Sequence, residues 1–337
     1  MIGYLIRRLI AAAGLVVVIS MITFAIFFVA PRIGGATSES MASRYVGRSA
    51  TGATVEQIAD RLGFNDPIPV QYWHWAKGVV AGTTYDYGAG VEKCPAPCLG
   101  YSFRTQQPVL PEIKRRIPIT FSLAIGAAFL WVISGVAVGV LSALKRGSIF
   151  DRVAMTVALA GVSMPIFWTG LIALSYFSYN LGWTPPGASY VGLTDNPIKW
   201  AHALLLPWIT LALLFSAQYA RLTRAGMLET MNEDYIRTAR AKGLRERTVV
   251  VKHGLRGALT PIVTIFGLDF GLLIGGAVLT ETVFGLPGLG QLAIQGTKNN
   301  DLPQVLGVVL LAALFVALAN LIVDLLYAVV DPRVRAK

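Results

Sequence analysis

The chain has 337 residues, of which 55% are apolar and 14% charged, and it carries a formal net charge of +11. Soluble domains hold about a quarter charged residues, so this composition excludes an ordinary globular enzyme and places the chain among membrane proteins. A basic excess has three common origins, nucleic acid, anionic lipid and the positive-inside bias of a membrane protein, and the placement of the charges decides among them.

In chain order, Arg7 and Arg8 precede an apolar run over about 9–30, close to the roughly 20 residues that cross a bilayer. The run is longer than a signal-peptide core, and Ala30–Pro31–Arg32 is a poor cleavage context, so residues 1–30 are expected to stay as an anchor helix. The polar segment 31–117 follows and is expected on the extracytoplasmic side. Thr54 to Leu62 reads as a helix, with Thr54 as N-cap, Gln57 at the capping-box position and Gly63 as stop signal. Val70 to Val80, with Tyr72, Trp73 and Trp75, reads as a second helix, either lying on the membrane surface or contacting an external protein. Cys94 and Cys98 are the two cysteines, with Pro95 and Pro97 between them. A disulfide, two free thiols and a metal site all stay open; the last would need further ligands.

Residues 118–330 form the expected membrane core. Apolar runs at about 118–143, 153–179, 204–220, 262–283 and 305–330 bring the expected total to about six spans. The third span contains Ser163–Met164–Pro165–Ile166–Phe167. Proline there removes a backbone hydrogen bond and kinks the helix, which makes Ser163 and Pro165 candidates for lining a pathway. Between the fourth and fifth spans lies a basic segment, 221–256. Its centre, Asn232 to Leu244, reads as a short helix, a glycine break and a second short helix. The fifth span carries Gly267, Gly271 and Gly275 on one face, a spacing that suits close helix packing. Asp269, Glu281 and Asp324 are acids in or near the spans. Asp269 is the deepest, while Glu281 and Asp324 sit near span ends, where water is available; Asp269 and Glu281 are candidate pathway residues.

The short-loop charge rule puts both termini in the cytoplasm, with residues 331–337 as a cytoplasmic tail. The inner segments then hold Arg7, Arg8, Lys145, Arg146, Arg152, nine Lys/Arg between Arg221 and Arg256, and Arg333, Arg335 and Lys337. The two short outer loops hold one lysine each, Lys199 and Lys298. Lys114, Arg115 and Arg116 run against the rule, although long segments translocate despite charge. Charge spread over several loops also argues against nucleic-acid binding.

The chain has no Gly-Lys dipeptide, so a phosphate-binding loop of the G-x4-G-K-[ST] type cannot occur. There is no H-E-x-x-H and no G-x-S-x-G, and His74, His202 and His253 are scattered. The chain is therefore read as no enzyme. What remains is the basic element. In helical register Tyr235, Ile236, Ala239 and Gly243 share a face, while Arg237, Arg240 and Lys242 project elsewhere. Small residues permit close backbone approach, and Tyr and Arg are favoured interface anchors, so this element is expected to dock another protein. Attraction of a solvated loop to anionic lipid is the plainer alternative.

Arg237–Thr238–Ala239–Arg240–Ala241–Lys242–Gly243, followed by His253–Gly254–Leu255 and Pro261, resembles the ATPase-docking loop of bacterial ATP-binding-cassette importer permeases, in the dipeptide/oligopeptide branch. Arg237, Thr238 and Ala239 stand where the broader family often has Glu-Ala-Ala. Arg61–Leu62–Gly63, Pro67, Gln71–Tyr72, Gly100–Tyr101–Ser102 and Arg116–Ile117–Pro118–Ile119–Thr120 are similar to further blocks of that branch. So are Ser163–Met164–Pro165–Ile166–Phe167 and the run from Glu281 to Gly290, so the likeness covers most of the chain. Two places depart: Ala30–Pro31–Arg32–Ile33–Gly34 lacks the Pro-Gly-Asp usual after the first span, and the Cys94–Cys98 stretch looks like an insertion.

The resemblance implies an all-α, polytopic type I importer permease of about six spans, with both termini cytoplasmic, in the bacterial cell membrane. It implies a second homologous permease, two cytoplasmic ATPase subunits that bind ATP and Mg, and an extracytoplasmic solute-binding protein, with no cofactor on this chain. Asp234, Tyr235, Arg237, Thr238, Ala239, Arg240, Ala241, Lys242, Gly243 and Leu244 would be the coupling residues. The implied substrates are di- and oligopeptides. Relatives in the branch also carry nickel or oligosaccharides, and a stand-alone secondary transporter is the alternative from a different class.

Overall fold

The computed structural model describes residues 2–43, 52–61, 63–86, 91–102, 104–187, 189–299 and 301–330, without the side chains of 2–5, 27, 52–54, 58 and 323–330. Leu62, the 331–337 tail and the side chains of Thr54 and Asp324 therefore lie outside the described residues. The chain opens with α1 (Ile2–Phe24), continued through a π-helical turn into α2 (Ala30–Ile33) and followed by α3 (Ser38–Ala42). Next come α4 (Gly52–Arg61), α5 (Ile68–Ala81) and two small antiparallel hairpins, β1 (Thr83–Asp86) with β2 (Val91–Cys94) and β3 (Tyr101–Ser102) with β4 (Gln107–Pro108). The core holds α6 (Val109–Leu144), α7 (Ile149–Ser163), α8 (Ile166–Ala173), α9 (Pro197–Thr230), α10 (Asp234–Ala241), α11 (Glu246–Thr248) and α12 (Leu255–Ile274). It ends with α13 (Val278–Val283), α14 (Leu289–Lys298) and α15 (Leu302–Val330).

Among the described residues, 5 helical segments are long and apolar enough to cross a bilayer, and 6 if the bent pair α7–α8 counts as one span. The packing of α6 on α9 decides that question. A Cβ added at Gly126 would fall 2.1 Å from the Trp208 ring, one at Gly135 2.6 Å from Tyr219 Cβ, and one at Gly139 2.5 Å from Thr223 Cβ. Contacts that advance together along both helices mean that the helices run parallel. The chain between them must therefore return to the end from which it started. It does so along α9: Asp151 of α7 meets Arg224, Gly161 lies by Leu213 and Ala217, and Gly170 of α8 by Thr210.

This return is broken rather than kinked. The two halves bend by 101° at Met164–Pro165. Proline forces the residue before it out of the helical region, and Met164 is extended, with φ −88° and ψ 128°. The fifth run also differs from expectation. α12 stops at Ile274, and Gly276, with φ +129°, turns the chain so closely under α14 that an added Cβ would fall 2.9 Å from Gly290 N. Residues 278–283 thus form a separate short helix. The glycine face of α12 packs as expected: added Cβ atoms at Gly271 and Gly275 would lie 2.9 and 3.1 Å from the Cβ atoms of Ala319 and Ala312 on α15.

Trp131 is fully buried where α6, α9 and α12 meet, its ring 4.7 Å from that of Phe215 and 6.2 Å from that of Phe266. Opposite, Ile125, Phe129 and Ile133 form an exposed apolar stripe at i, i+4 and i+8. Such a stripe is stable against lipid or a second membrane protein.

At one end of the bundle the described residues of the 31–108 segment form a cap. α4 begins two residues before Thr54, and α5 turns Tyr72 and Trp75 onto α1, where Tyr72 Oη and Ser20 Oγ are 2.8 Å apart. Trp73 alone of the three aromatics points out. Cys94 and Cys98 are joined by a disulfide. Because α6 starts at Val109, the Lys114–Arg116 triplet is helical, and Arg116 pairs with Glu112 at 2.7 Å and reaches Gln291 and Gln295 at 3.4 Å each. Two of the three charges that resisted the topology rule, Arg115 and Arg116, thus have a partner within the chain.

Replacing Gly139 by leucine is expected to wedge α6 off α9, at about 1–3 kcal/mol for overpacking. Thermal melting of the purified protein in detergent should show a lower midpoint; an unchanged midpoint would contradict the close seam.

Candidate functional site: a capped basic helix

α10 leaves Glu233 in an extended conformation and carries Asp234 in its first turn, where a carboxylate complements the helix dipole. Its other end closes on glycine. Gly243 has φ +76°, its N–H donates to Arg240 O at 2.9 Å, and the Leu244 N–H donates to Ala239 O at 3.3 Å. This pair of bonds satisfies the last carbonyls and requires a left-handed residue, so the break falls where the sequence places it.

Ile236 and Ala239 are buried against Val249 and Met231. Val249 begins a π-helical turn, Val249–Gly254, that leads into α12, and Met231 caps α9. This differs from the sequence reading, which offers the Tyr235–Ile236–Ala239–Gly243 face to a partner. A helix of eight residues has few apolar side chains, and it must bury them on its own chain before it holds a fixed position. The outward surface is Asp234, Arg237, Thr238, Arg240, Ala241, Lys242, Gly243 and Leu244, with Tyr235 half-exposed. Arg240 pairs with Glu246 at 2.8 Å, and Arg237 with Asp234 at 3.4 Å. Exposed pairs of this kind contribute about 0–1 kcal/mol, so these guanidinium groups can change partners at little cost.

Tyr235 braces α10 from the side. A Cβ added at Gly257 of α12 would fall 2.9 Å from its Oη and 2.8 Å from Thr230 Cγ2 of α9. Partial burial, and then the Glu233 carboxylate, push the Tyr235 phenol above its usual pKa. Two of the coupling candidates, Tyr235 and Ala239, together with Ile236 between them, therefore fasten the helix to the ends of both long helices.

One element near this site escapes the sequence reading. Asp151 takes a two-point ion pair from Arg224, Nε to Oδ1 at 2.6 Å and Nη2 to Oδ2 at 2.8 Å. It also accepts from the Gly147 N–H at 2.9 Å, while Ser148 Oγ accepts from the Asp151 N–H at 3.2 Å. The Ser148-x-x-Asp151 spacing is a helix-start signal that marks this place in the sequence. The pair locks the start of α7 to α9 less than two turns before α9 ends at Thr230.

The pathway candidates separate. Ser163 donates to Leu159 O at 2.9 Å and stands with Pro165 at the α7–α8 break, both exposed. Asp269 accepts from Tyr219 Oη at 3.0 Å. Glu281 is not hydrated as the sequence reading expects; its exposure is 0%. It accepts from Thr120 Oγ1 at 2.7 Å and from the Gln291 N–H at 2.9 Å. The cause is the turn at Gly276, which folds α13 under α14 instead of extending α12 toward solvent.

The sequence model of the family described as binding-protein-dependent transport system inner membrane component matches residues 135–336, and that of the N-terminal part of such membrane components matches residues 1–124. The glutathione transport system permease protein GsiC of Pectobacterium atrosepticum is 38% identical over 337 residues, covering 100% of both chains. A putative peptide transport system permease protein of Brucella abortus is 40% identical over 336 residues, 99% of each. A solved structure of inward-facing conformations of the MetNI methionine ABC transporter matches with a TM-score of 0.53 at 21% identity, over 66% of this chain and 97% of that one, which shows a common fold.

Arg224→Ala should leave the Asp151 carboxylate without its cation and lower the melting midpoint. The combined Asp151→Asn and Arg224→Gln change should recover part of that loss. Melting curves of the purified variants test this, and a single variant as stable as the parent would remove the lock.

Proposed function

Because the chain belongs to the family of binding-protein-dependent transport system inner membrane components, we propose that it and a second, homologous permease enclose the path by which short peptides enter a bacterial cell. The chain is a multi-pass inner-membrane permease subunit of an ABC importer, and ATP hydrolysis belongs to partner ATPase subunits. The peptide substrate is supported by relatives named for peptide transport and for the transport of glutathione, itself a short peptide.

The observation that carries the coupling role is the mounting of α10. Its polar face, Asp234 to Leu244, stands free, while Ile236, Ala239 and Tyr235 fix it to α9 and α12. Two ATPases, one beneath each permease, would press on this face. ATP binding would shift the permease because the ATPases contact the two states differently, as any ligand-driven change requires. The Asp151–Arg224 pair brings Lys145, Arg146 and Arg152 to the same end as the 221–256 segment. That clustering supports a cytoplasmic placement for this end and for both termini. The solute-binding protein would then meet the cap formed by 31–108, at the far end. Residues 1–30 serve as anchor, and the core of 118–330 takes its first helix from Val109.

Gly243→Val tests the coupling. Nothing lies within 4 Å of the added Cβ, so the change acts only through the left-handed backbone, at about 1–2 kcal/mol. In the complete importer in liposomes, ATPase activity stimulated by peptide-loaded binding protein should fall roughly 5- to 30-fold. Full stimulation, together with cross-linkers at Tyr235 or Arg240 that never capture an ATPase, would refute the assignment.

A further inference from the structure

Asp269 is a carboxylate inside a membrane-spanning helix, five residues before the end of α12. Such a group is costly in a bilayer and calls for a partner. Among the described residues, its hydrogen bond is from Tyr219 Oη to Oδ2 at 3.0 Å, and no Lys, Arg or His side chain forms an ion pair with it. One carboxylate oxygen is left to spare. The residue is only partly buried, and Leu272, one turn further on the same side, is exposed. This side of α12 therefore faces whatever lies beside the chain.

The surroundings favour a cation. Phe266, at i−3, stacks with Phe270 at 5.4 Å between ring centroids, and both are only partly buried. Aromatic faces beside a carboxylate stabilise an ammonium group by cation–π and ionic attraction together. Tyr219 holds one oxygen in place, so the other is preset for a donor. A carboxylate so fixed has three candidate occupants: an ammonium in transit, a basic side chain of the second permease, or a proton.

We propose that Asp269, oriented by Tyr219, receives the α-ammonium of a peptide passing through the importer. This rests on the peptide reading above, since every unblocked peptide carries that group. Asp269 is then a specificity-determining residue on the path, and Tyr219 is a positioning residue.

The test uses the complete importer in liposomes. Both cysteines of the chain are tied up in one disulfide, so Asp269→Cys gives the chain a single free thiol. A small cationic methanethiosulfonate reagent should modify that thiol from water. Asp269→Asn should cut peptide uptake at least about tenfold while peptide-loaded binding protein still stimulates the ATPase. Asp269→Glu, which keeps the charge, should retain most uptake, and Tyr219→Phe should fall between. A thiol that the reagent never reaches, or unchanged uptake in Asp269→Asn, overturns the proposal. Loss of the second permease on purification of Asp269→Asn overturns it in favour of a pair between subunits, and loss of uptake and stimulation together overturns it in favour of a structural role. If loaded binding protein fails to stimulate even the parent importer, the peptide reading itself is wrong, and this inference falls with it.

Discussion

Gly126, Gly135 and Gly139 let α6 lie against α9 at a distance that no side chain at those positions would permit. In lipid there is little hydrophobic gain from bringing two apolar helices together, so close backbone approach and dispersion must hold them. The direction of this seam then constrains everything between the two helices. Parallel neighbours need a return, and the return is the broken pair α7–α8. The same seam presents the last two turns of α9 beside the start of α7, where Asp151 and Arg224 lock, and it delivers α10 to the end of the bundle.

The far end is organised by a buried carboxylate. Glu281 accepts from Thr120 on α6 and from the first amides of α14, and Leu289 N–H donates back to Thr120 Oγ1 at 2.9 Å. Helix starts carry unpaired N–H groups and partial positive charge, so the carboxylate is held by its own chain. This accounts for the glycines around it. Gly285 has φ +63°, and a Cβ at Gly288 would fall 2.3 Å from Glu281 Cδ. The Glu281–Gly290 run, which resembles a family block, is thus a closed structural knot that ties α6 to the α13–α14 turn.

Much of this was legible from residue order. The apolar runs, the glycine face of α12 and the stop at Gly243 each follow from local spacing, and each appears in the structure. The failures are non-local. Lys114 to Arg116 read as the end of a loop because Gln291 and Gln295, which sit beside Arg116, are far away in sequence. Glu281 read as hydrated because its partner Thr120 is 161 residues distant. Pro165 marks a disturbance in any helix, but whether it kinks or breaks the span depends on where α9 offers a surface for the second half. The face of α10 was misjudged for a related reason: small and apolar residues suit a partner or the parent chain equally well, and only the position of Val249 and Met231 decides.

The hold on α10 is small in energy. One buried isoleucine contributes about 1.5–3 kcal/mol, and Ala239 adds less. The glycine cap at its C-terminal end and the Tyr235 brace, rather than a large core, give the helix its fixed orientation. A load applied to its polar face therefore has two exits, through Met231 into α9 and through Val249 into α12. On α9 it meets the Arg224 lock within two turns and the glycine seam beyond it. On α12 it meets Gly271 and Gly275 against α15. Neither route contains a loop, and both lead to the pair of helices that carry Tyr219 and Asp269. The element that is cheapest to grip is thus wired, by short rigid paths, to the helices bearing the one carboxylate that the described chain leaves half-satisfied within its spans.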